Sequence, residues 1–121
     1  MVFADTNILV NLMHPETEQA AQRLITTASK PIVINDAVLA ELCGLLLYNK
    51  RFLLPRSDVI GFLQLLLGRK EFLFGGKGQE AIQFFIKHPK LDMVDCLVAC
   101  YGSGKARSVL TSDNNLKKIL I

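Results

Sequence analysis

One short run, Pro31-Ile32-Val33-Ile34, constrains the fold of this chain more than any other segment. The run is apolar throughout and rich in β-branched residues, which favour extended backbone. Because successive side chains of a strand point to opposite faces, a strand of this kind has to be covered on both sides. Such strands are typical of parallel sheets with helices packed against each face. The run therefore predicts an α/β domain.

Strands and helices are predicted to alternate along the rest of the chain. The predicted strands cover residues 2–4, 31–34, 71–74 and 108–111. Helical spacing of apolar residues and helix-capping signals predict helices over residues 6–13, 16–28, 37–50, 57–67, 79–87 and 91–101, with a last helix that follows Asp113 and runs through Leu120. Since no linker or repeat divides the chain, we expect one domain over residues 1–121 with a parallel sheet.

The composition predicts a cytoplasmic protein without a membrane span. An odd and sparse set of three cysteines argues against a disulfide framework and fits a reducing compartment. Asp5 interrupts the start of the chain before the apolar core of a secretory signal could form. The longest apolar runs fall far short of the roughly 18 residues that a membrane span needs. The net charge of +3 is compatible with a polyanionic partner.

Four acidic residues, far apart in sequence, lie where the predicted strands and helices could direct them to one point. Asp5 follows the first strand and Asp113 follows the fourth, whereas Glu41 and Asp95 lie on helices among apolar residues. Sites in parallel sheets form outside the carboxyl ends of the strands. If the first and fourth strands are neighbours, Asp5 and Asp113 meet at one edge. The helices that follow the second and third strands could bring Glu41 and Asp95 to the same edge.

Clustered carboxylates suit a hard divalent cation. Mg²⁺ and Mn²⁺ prefer oxygen ligands, whereas carboxylates that crowd together without a metal repel one another and raise each other's pKa. A metal held by such groups can polarise a phosphodiester and activate water. The four acids therefore predict a metal-dependent nuclease.

Each acid also has a simpler structural interpretation. Asp5 and Asp113 could cap the helices that follow them. Glu41 could be an exposed helix residue, although its apolar neighbours argue against a fully solvated face. Asp95 lies in a predicted core helix, where a solvated salt bridge fits poorly. Asp92 could be a second metal ligand, the cap of that helix or a surface charge, and the cap is the favoured interpretation. The apolar stripe predicted for this helix consists of Leu91, Val94, Leu97 and Val98.

The motifs around these acids resemble those of the PIN-domain ribonucleases, and in particular the VapC-type toxins of toxin–antitoxin pairs. ADTNILV is similar to the family's opening strand with its first acid, and INDAVLAEL is similar to its second block. LDMVDCLVAC is similar to the Asp-Ala-Leu-Ile-Ala-Ala block, although Cys96 and Cys100 stand where alanines are usual. SVLTSD is similar to the closing strand. The resemblance covers nearly the whole chain.

The resemblance implies a three-layer α/β/α fold with a central parallel sheet of four or five strands. It also implies Mg²⁺- or Mn²⁺-dependent endonuclease activity on RNA, a homodimer, and a partner antitoxin that covers the site. Asp5, Glu41 and Asp95 would be the main metal ligands, with Asp113 as a fourth acid. Two further residues would support water or carboxylates, namely Asn7 and Thr111.

Other residues have weaker functional signals. Three basic residues are candidates for holding RNA phosphates, although scattered surface cations are ordinary: Lys105, Arg107 and Lys117. The segment Gly75-Gly76-Lys77-Gly78 is better interpreted as a turn than as a phosphate cradle. The three cysteines are better interpreted as small buried hydrophobes than as zinc ligands. The leucine-rich segments 45–47 and 62–67 are either core or a surface for a second copy or an antitoxin helix.

Two alternatives to the nuclease remain. The chain could be a PIN-like module that binds RNA or a protein without cutting. It could also be a phosphatase similar to the haloacid dehalogenases, but that family needs a second aspartate where this chain has Asn7. The phosphatase therefore ranks last.

Overall fold

Three short parallel strands lie at the centre of the fold in the computed structural model, which describes residues 1–121. They are β1 (Val2–Phe3), β2 (Ile32–Ile34) and β3 (Phe72–Phe74), in the order β1-β2-β3. Phe3 is opposite Val33, which in turn is opposite Leu73. All three residues of β2 are buried, as the apolar run predicts for a central strand.

Seven α-helices surround the sheet, and each begins and ends within two residues of its prediction: α1 (Thr6–Met13), α2 (Glu18–Thr27), α3 (Asp36–Tyr48), α4 (Arg56–Gly68), α5 (Gly78–Lys87), α6 (Met93–Tyr101) and α7 (Asn114–Ile119). A core of 24 buried residues takes at least one side chain from every helix. Burial of this apolar surface is the main favourable term for folding. None of the helices is both long and apolar enough to cross a membrane.

Side-chain caps fix the starts of three helices. The carboxamide oxygen of Asn35 accepts a hydrogen bond from the backbone N–H of Val38 at 2.9 Å, at the start of α3. Asp92 caps α6 in the same way, as predicted, through the N–H of Asp95 at 2.8 Å. The third cap is Asp113, at the start of α7. Each cap satisfies a donor that the first helical turn leaves without a partner.

The predicted strand over residues 108–111 does not form, so the sheet has three strands and not four or five. Ala106–Ser108 is a 3-10 turn, and residues 110–112 make no backbone hydrogen bond with the sheet. Leu110 is fully exposed. β1 therefore keeps one edge unpaired and leaves Phe3 62% exposed. Strand propensity describes a local preference of the backbone, whereas a strand forms only where it can hydrogen-bond to the edge of a neighbouring strand.

The buried face of α6 differs from its predicted apolar stripe. Val94 and Val98 are exposed, whereas Leu91 and Leu97 are buried as predicted. The helix turns other small and flexible side chains to the core: Met93, Cys96, Ala99 and Cys100. The helix is thus rotated relative to its predicted orientation, and Asp95 is half-buried at the margin of the core.

Candidate functional site

The carboxyl ends of the three strands bring polar residues to one edge of the sheet. Since Phe3, Val33 and Leu73 are in register, the residues two positions later follow one another along this edge: Asp5, Asn35 and Gly75. Helices α1, α3 and α5 all begin just beyond it. This is the edge at which open parallel sheets place their sites.

Asp36 connects three segments at this edge. Its half-buried carboxylate accepts a hydrogen bond from the backbone N–H of Lys77 at 3.2 Å, in the turn after β3. It also accepts a hydrogen bond from the hydroxyl of Tyr101, at the end of α6. Gly76 has a φ of +60°, and a Cβ there would overlap the Asp36 carboxylate and lie 2.7 Å from the Tyr101 hydroxyl. The turn therefore requires glycine.

Helix capping is the only role that the local sequence indicates for Asp36, and the local sequence indicates none for Tyr101. The signal that could have found Asp36 is its position, since it lies just beyond the carboxyl end of the central strand. The segment Gly75-Gly76-Lys77-Gly78 is a turn into α5, as predicted.

Asp95 lies in the first turn of α6 close to two other acids. Burial raises the pKa of its carboxyl, and the negative charges of Asp92 and Asp113 raise the pKa further. Asp113 itself is exposed and caps α7 by accepting a hydrogen bond from the N–H of Leu116 at 3.0 Å. The capping interpretation of Asp113 is thus confirmed. The structure therefore brings Asp92 and Asp113 close enough to Asp95 for their charges to act on its carboxyl.

The remaining two predicted acids lie on neighbouring elements. Asp5 is exposed at the N-terminal end of α1 and makes no side-chain cap hydrogen bond. Glu41 is exposed on α3, a helix that packs against both α1 and α6. The interpretation of Glu41 as an exposed helix residue is confirmed, because Leu39 and Leu42 point to the core while Glu41 points to solvent. No three His, Cys, Asp or Glu side chains are grouped so that they could hold a metal ion.

The donor chemistry at Asp95 nevertheless fits a hard divalent cation. Carboxylate oxygens are what Mg²⁺ prefers, and Mg²⁺ commonly takes only one or two protein carboxylates, with the other positions filled by water and substrate phosphate. Burial is the main cause of the raised pKa of Asp95, and the negative charges of Asp92 and Asp113 add to it. A cation would relieve that repulsion.

Of the predicted supporting and basic residues, Thr111 contacts the segment that carries a predicted acid. The hydroxyl of Thr111 accepts a hydrogen bond from the N–H of Asp113 at 3.0 Å and so shapes the segment that carries this acid. Asn7 is exposed in the first turn of α1. The three residues predicted to bind phosphate are exposed and take part in no ion pair: Lys105, Arg107 and Lys117.

The cysteines are buried and form no disulfide, as expected for small apolar side chains. Burial raises the pKa of Cys43 and of Cys96 to about 12. Thiols of this kind stay protonated and are poor nucleophiles.

Comparison with known families places these observations in context. The model of the PIN domain family matches residues 2–120, a span that includes every acid from Asp5 to Asp113. No curated protein and no solved structure matches the chain. A match over nearly the full length, together with the parallel sheet and its acidic edge, shows that the chain belongs to the PIN domain family.

Proposed function

We propose that this protein is a metal-dependent endoribonuclease. PIN domains are typically nucleases, and PIN nucleases generally use divalent metal ions. The observation that carries the proposal is the family match over residues 2–120. The crowding of carboxylates at Asp95 supports the position of the site.

The proposed roles follow from the elements that carry each acid. Asp5, Glu41 and Asp95 would bind Mg²⁺ or Mn²⁺, and Asp113 would assist. When bound, the metal would polarise the scissile phosphate and lower the pKa of the attacking water. The N–H of Asp95 donates to Asp92, so this cap fixes the first turn of α6 and with it the start of the Asp95 side chain.

Asn7 and Thr111 would orient the acids or the attacking water through hydrogen bonds. Thr111 already holds the N–H of Asp113, and a neighbouring hydrogen bond of this kind can fix the direction in which an acid points. Asn7 lies two residues beyond Asp5 on the exposed first turn of α1. Its amide is available to water or to substrate.

The biological role that we propose is the toxin of a toxin–antitoxin pair in the cytoplasm, acting as a homodimer. This proposal comes from the resemblance of the motifs to VapC-type toxins. An open cleft of about 620 Å³ between α1, α2 and α4 supports it as a surface for a protein partner, because Leu12, Met13 and Leu65 line the cleft. Leu65 is 68% exposed, whereas Phe62, Leu63 and Leu66 of the same leucine-rich segment are core residues.

The decisive experiment is cleavage of end-labelled cellular RNA by the purified protein in Mg²⁺, in Mn²⁺ and in EDTA. Asp95→Asn keeps the size of the side chain and should abolish cleavage, whereas Asp58→Asn on α4 removes the same formal charge from an exposed position and should not. Cleavage by Asp95→Asn at the wild-type rate would show that the site assignment is wrong.

A non-catalytic PIN-like module that binds RNA or a protein is the second candidate. One observation favours it: Asp5 and Glu41 are exposed, and no three potential ligands are grouped for a metal. Calorimetry with Mg²⁺ and Mn²⁺ separates the two candidates. A folded protein that neither binds these ions nor cleaves RNA would favour the module.

A further inference from the structure

We propose that a basic groove formed by Lys87, Lys90 and Lys118 binds the sugar–phosphate backbone of single-stranded RNA beside the acidic residues. The groove lies between the end of α5, residues 88–91 and α7. The identity of the ligand rests on the proposed nuclease function. The groove is inferred from the shape of the surface and from the charges of three lysines that were not among the residues predicted to bind RNA.

Two adjoining clefts make up the groove. One of about 250 Å³ is lined by Lys90, Asn115 and Lys118, and the other of about 390 Å³ is lined by Gln83, Phe84 and Lys87. The two clefts share His88 and Ile119 in their linings, so they adjoin each other. Most of the residues that line the groove are polar or charged.

The positive charge of the groove is not neutralised within the protein. Lys87, Lys90 and Lys118 are exposed and make no ion pair. Glu80 is the one acid in the wall, and it lies 3.5 Å from the ammonium group of Lys77. Three free cations along a depression favour a ligand with repeated negative charges.

Two residues that line the groove are close in sequence to the acids. Lys90 precedes Asp92 by two residues, and Asn115 follows Asp113 by two residues. Asp92 and Asp113 are the charges that act on Asp95. In this proposal, a polynucleotide with one phosphate at Asp95 extends its neighbouring phosphates toward the groove.

Aromatic groups in the second cleft favour a nucleic acid over an acidic peptide. The rings of Phe84 and His88 have centroids 5.5 Å apart and are tilted by 36°. Both residues line the cleft that contains Lys87. Unstacked bases of single-stranded RNA commonly bind on such rings while cations hold the phosphates.

Binding can be measured apart from cleavage. A fluorescently labelled single-stranded RNA is titrated with Asp95→Asn protein in EDTA, and anisotropy reports the affinity at several salt concentrations. A triple variant in this background replaces Lys87, Lys90 and Lys118 by alanine. The matched control replaces Lys50, Lys70 and Arg51, which are exposed cations outside the groove.

We expect the groove variant to bind at least about tenfold more weakly and the control to bind like its parent. The slope of log affinity against log salt should fall by about 2, at roughly 0.7 for each phosphate that the variant no longer neutralises. Circular dichroism of the variants checks that they fold. Equally weakened binding in the two variants, or no RNA binding by the parent, would overturn the inference.

Competition identifies the class of ligand. Polyglutamate of the same total charge should displace the RNA poorly; displacement equal to that by unlabelled RNA would show a general anion surface and overturn the assignment to RNA. Groove-dependent binding without cleavage by the wild type would leave the inference standing and remove the proposed activity. Cleavage by the wild type together with unchanged RNA binding in the groove variant would overturn the inference and leave the proposed activity standing.

Discussion

The hydroxyl of Tyr101 donates a hydrogen bond to the carboxylate of Asp36, which precedes it by 65 residues. This bond joins the end of α6 to the start of α3. The Asp36 carboxylate also accepts from the N–H of Lys77, so one side chain ties both helices to the turn after β3. Because α6 carries Asp95 and α3 carries Glu41, the bond connects two elements of the candidate site.

The titration of Tyr101 should report this bond. The hydrogen bond to Asp36 raises the pKa of the Tyr101 phenol. In a Tyr48→Phe background, where Tyr101 is the remaining tyrosine, the phenolate absorbance should appear above the ordinary pKa of about 10. Asp36→Asn should lower the midpoint. Since the pKa is raised on folding, the stability that it contributes is present below the ordinary pKa and lost as pH rises through the folded pKa. An unchanged midpoint in Asp36→Asn would contradict the assignment.

Gly76→Ala should destabilise the protein by roughly 1–3 kcal/mol, because the backbone there has a positive φ and the new Cβ would meet Asp36. Gly44→Ala is the matched control. Gly44 lies inside α3, and a Cβ added there would have no neighbour within 4 Å, so alanine should stabilise the helix by about 0.5–1 kcal/mol. Urea denaturation measures both changes. Similar effects of the two substitutions would argue against the close approach at Gly76.

Asp95→Asn should stabilise the metal-free protein at neutral pH. The raised pKa means that ionised Asp95 is less favourable in the folded than in the unfolded chain. The contribution of protonated Asp95 to the stability of the folded protein is fully present below the unfolded pKa and is lost as pH rises through the folded pKa. The advantage of asparagine should therefore fade as pH falls through that folded pKa. Thermal denaturation in EDTA across acidic to neutral pH measures it, and an advantage that grows on acidification would contradict the raised pKa.

The native thiols should resist a disulfide-exchange reagent in mildly alkaline buffer. Burial raises the pKa of Cys43 and Cys96 to about 12 and also raises that of Cys100, so almost no thiolate is present. All three should react once denaturant exposes them. Absorbance of the released thiol measures both states. Rapid reaction of one full equivalent in the native protein would show that a cysteine is accessible and ionisable.

The helices and the first three strands could be predicted because their signals are local. In β2 the apolar run itself demands cover on both faces, and in α5 the apolar spacing defines the buried side. Residues 108–111 have an equally good strand composition, but pairing depends on a distant edge that composition does not describe.

The candidate site could be predicted only in part, because local signals place some of its residues and distant packing places the others. The strand ends place Asp5 and Asp36 at one edge, but the direction of a side chain on a helix depends on which face packs. Glu41 illustrates this, since its nearest apolar neighbours in sequence occupy the opposite, buried face of α3. Capping alone was a sufficient explanation for Asn35-Asp36, and the bond to Tyr101 joins residues too far apart in sequence for any local pattern to indicate it.

The unpaired edge of β1 has a practical consequence for work with the purified protein. A strand with free N–H and C=O groups is a template on which a strand of another chain can add. The exposed side chain of Phe3 beside that edge makes such addition more favourable, since it would leave water on association. We expect a charged residue in place of Phe3 to reduce association through this edge in concentrated solutions.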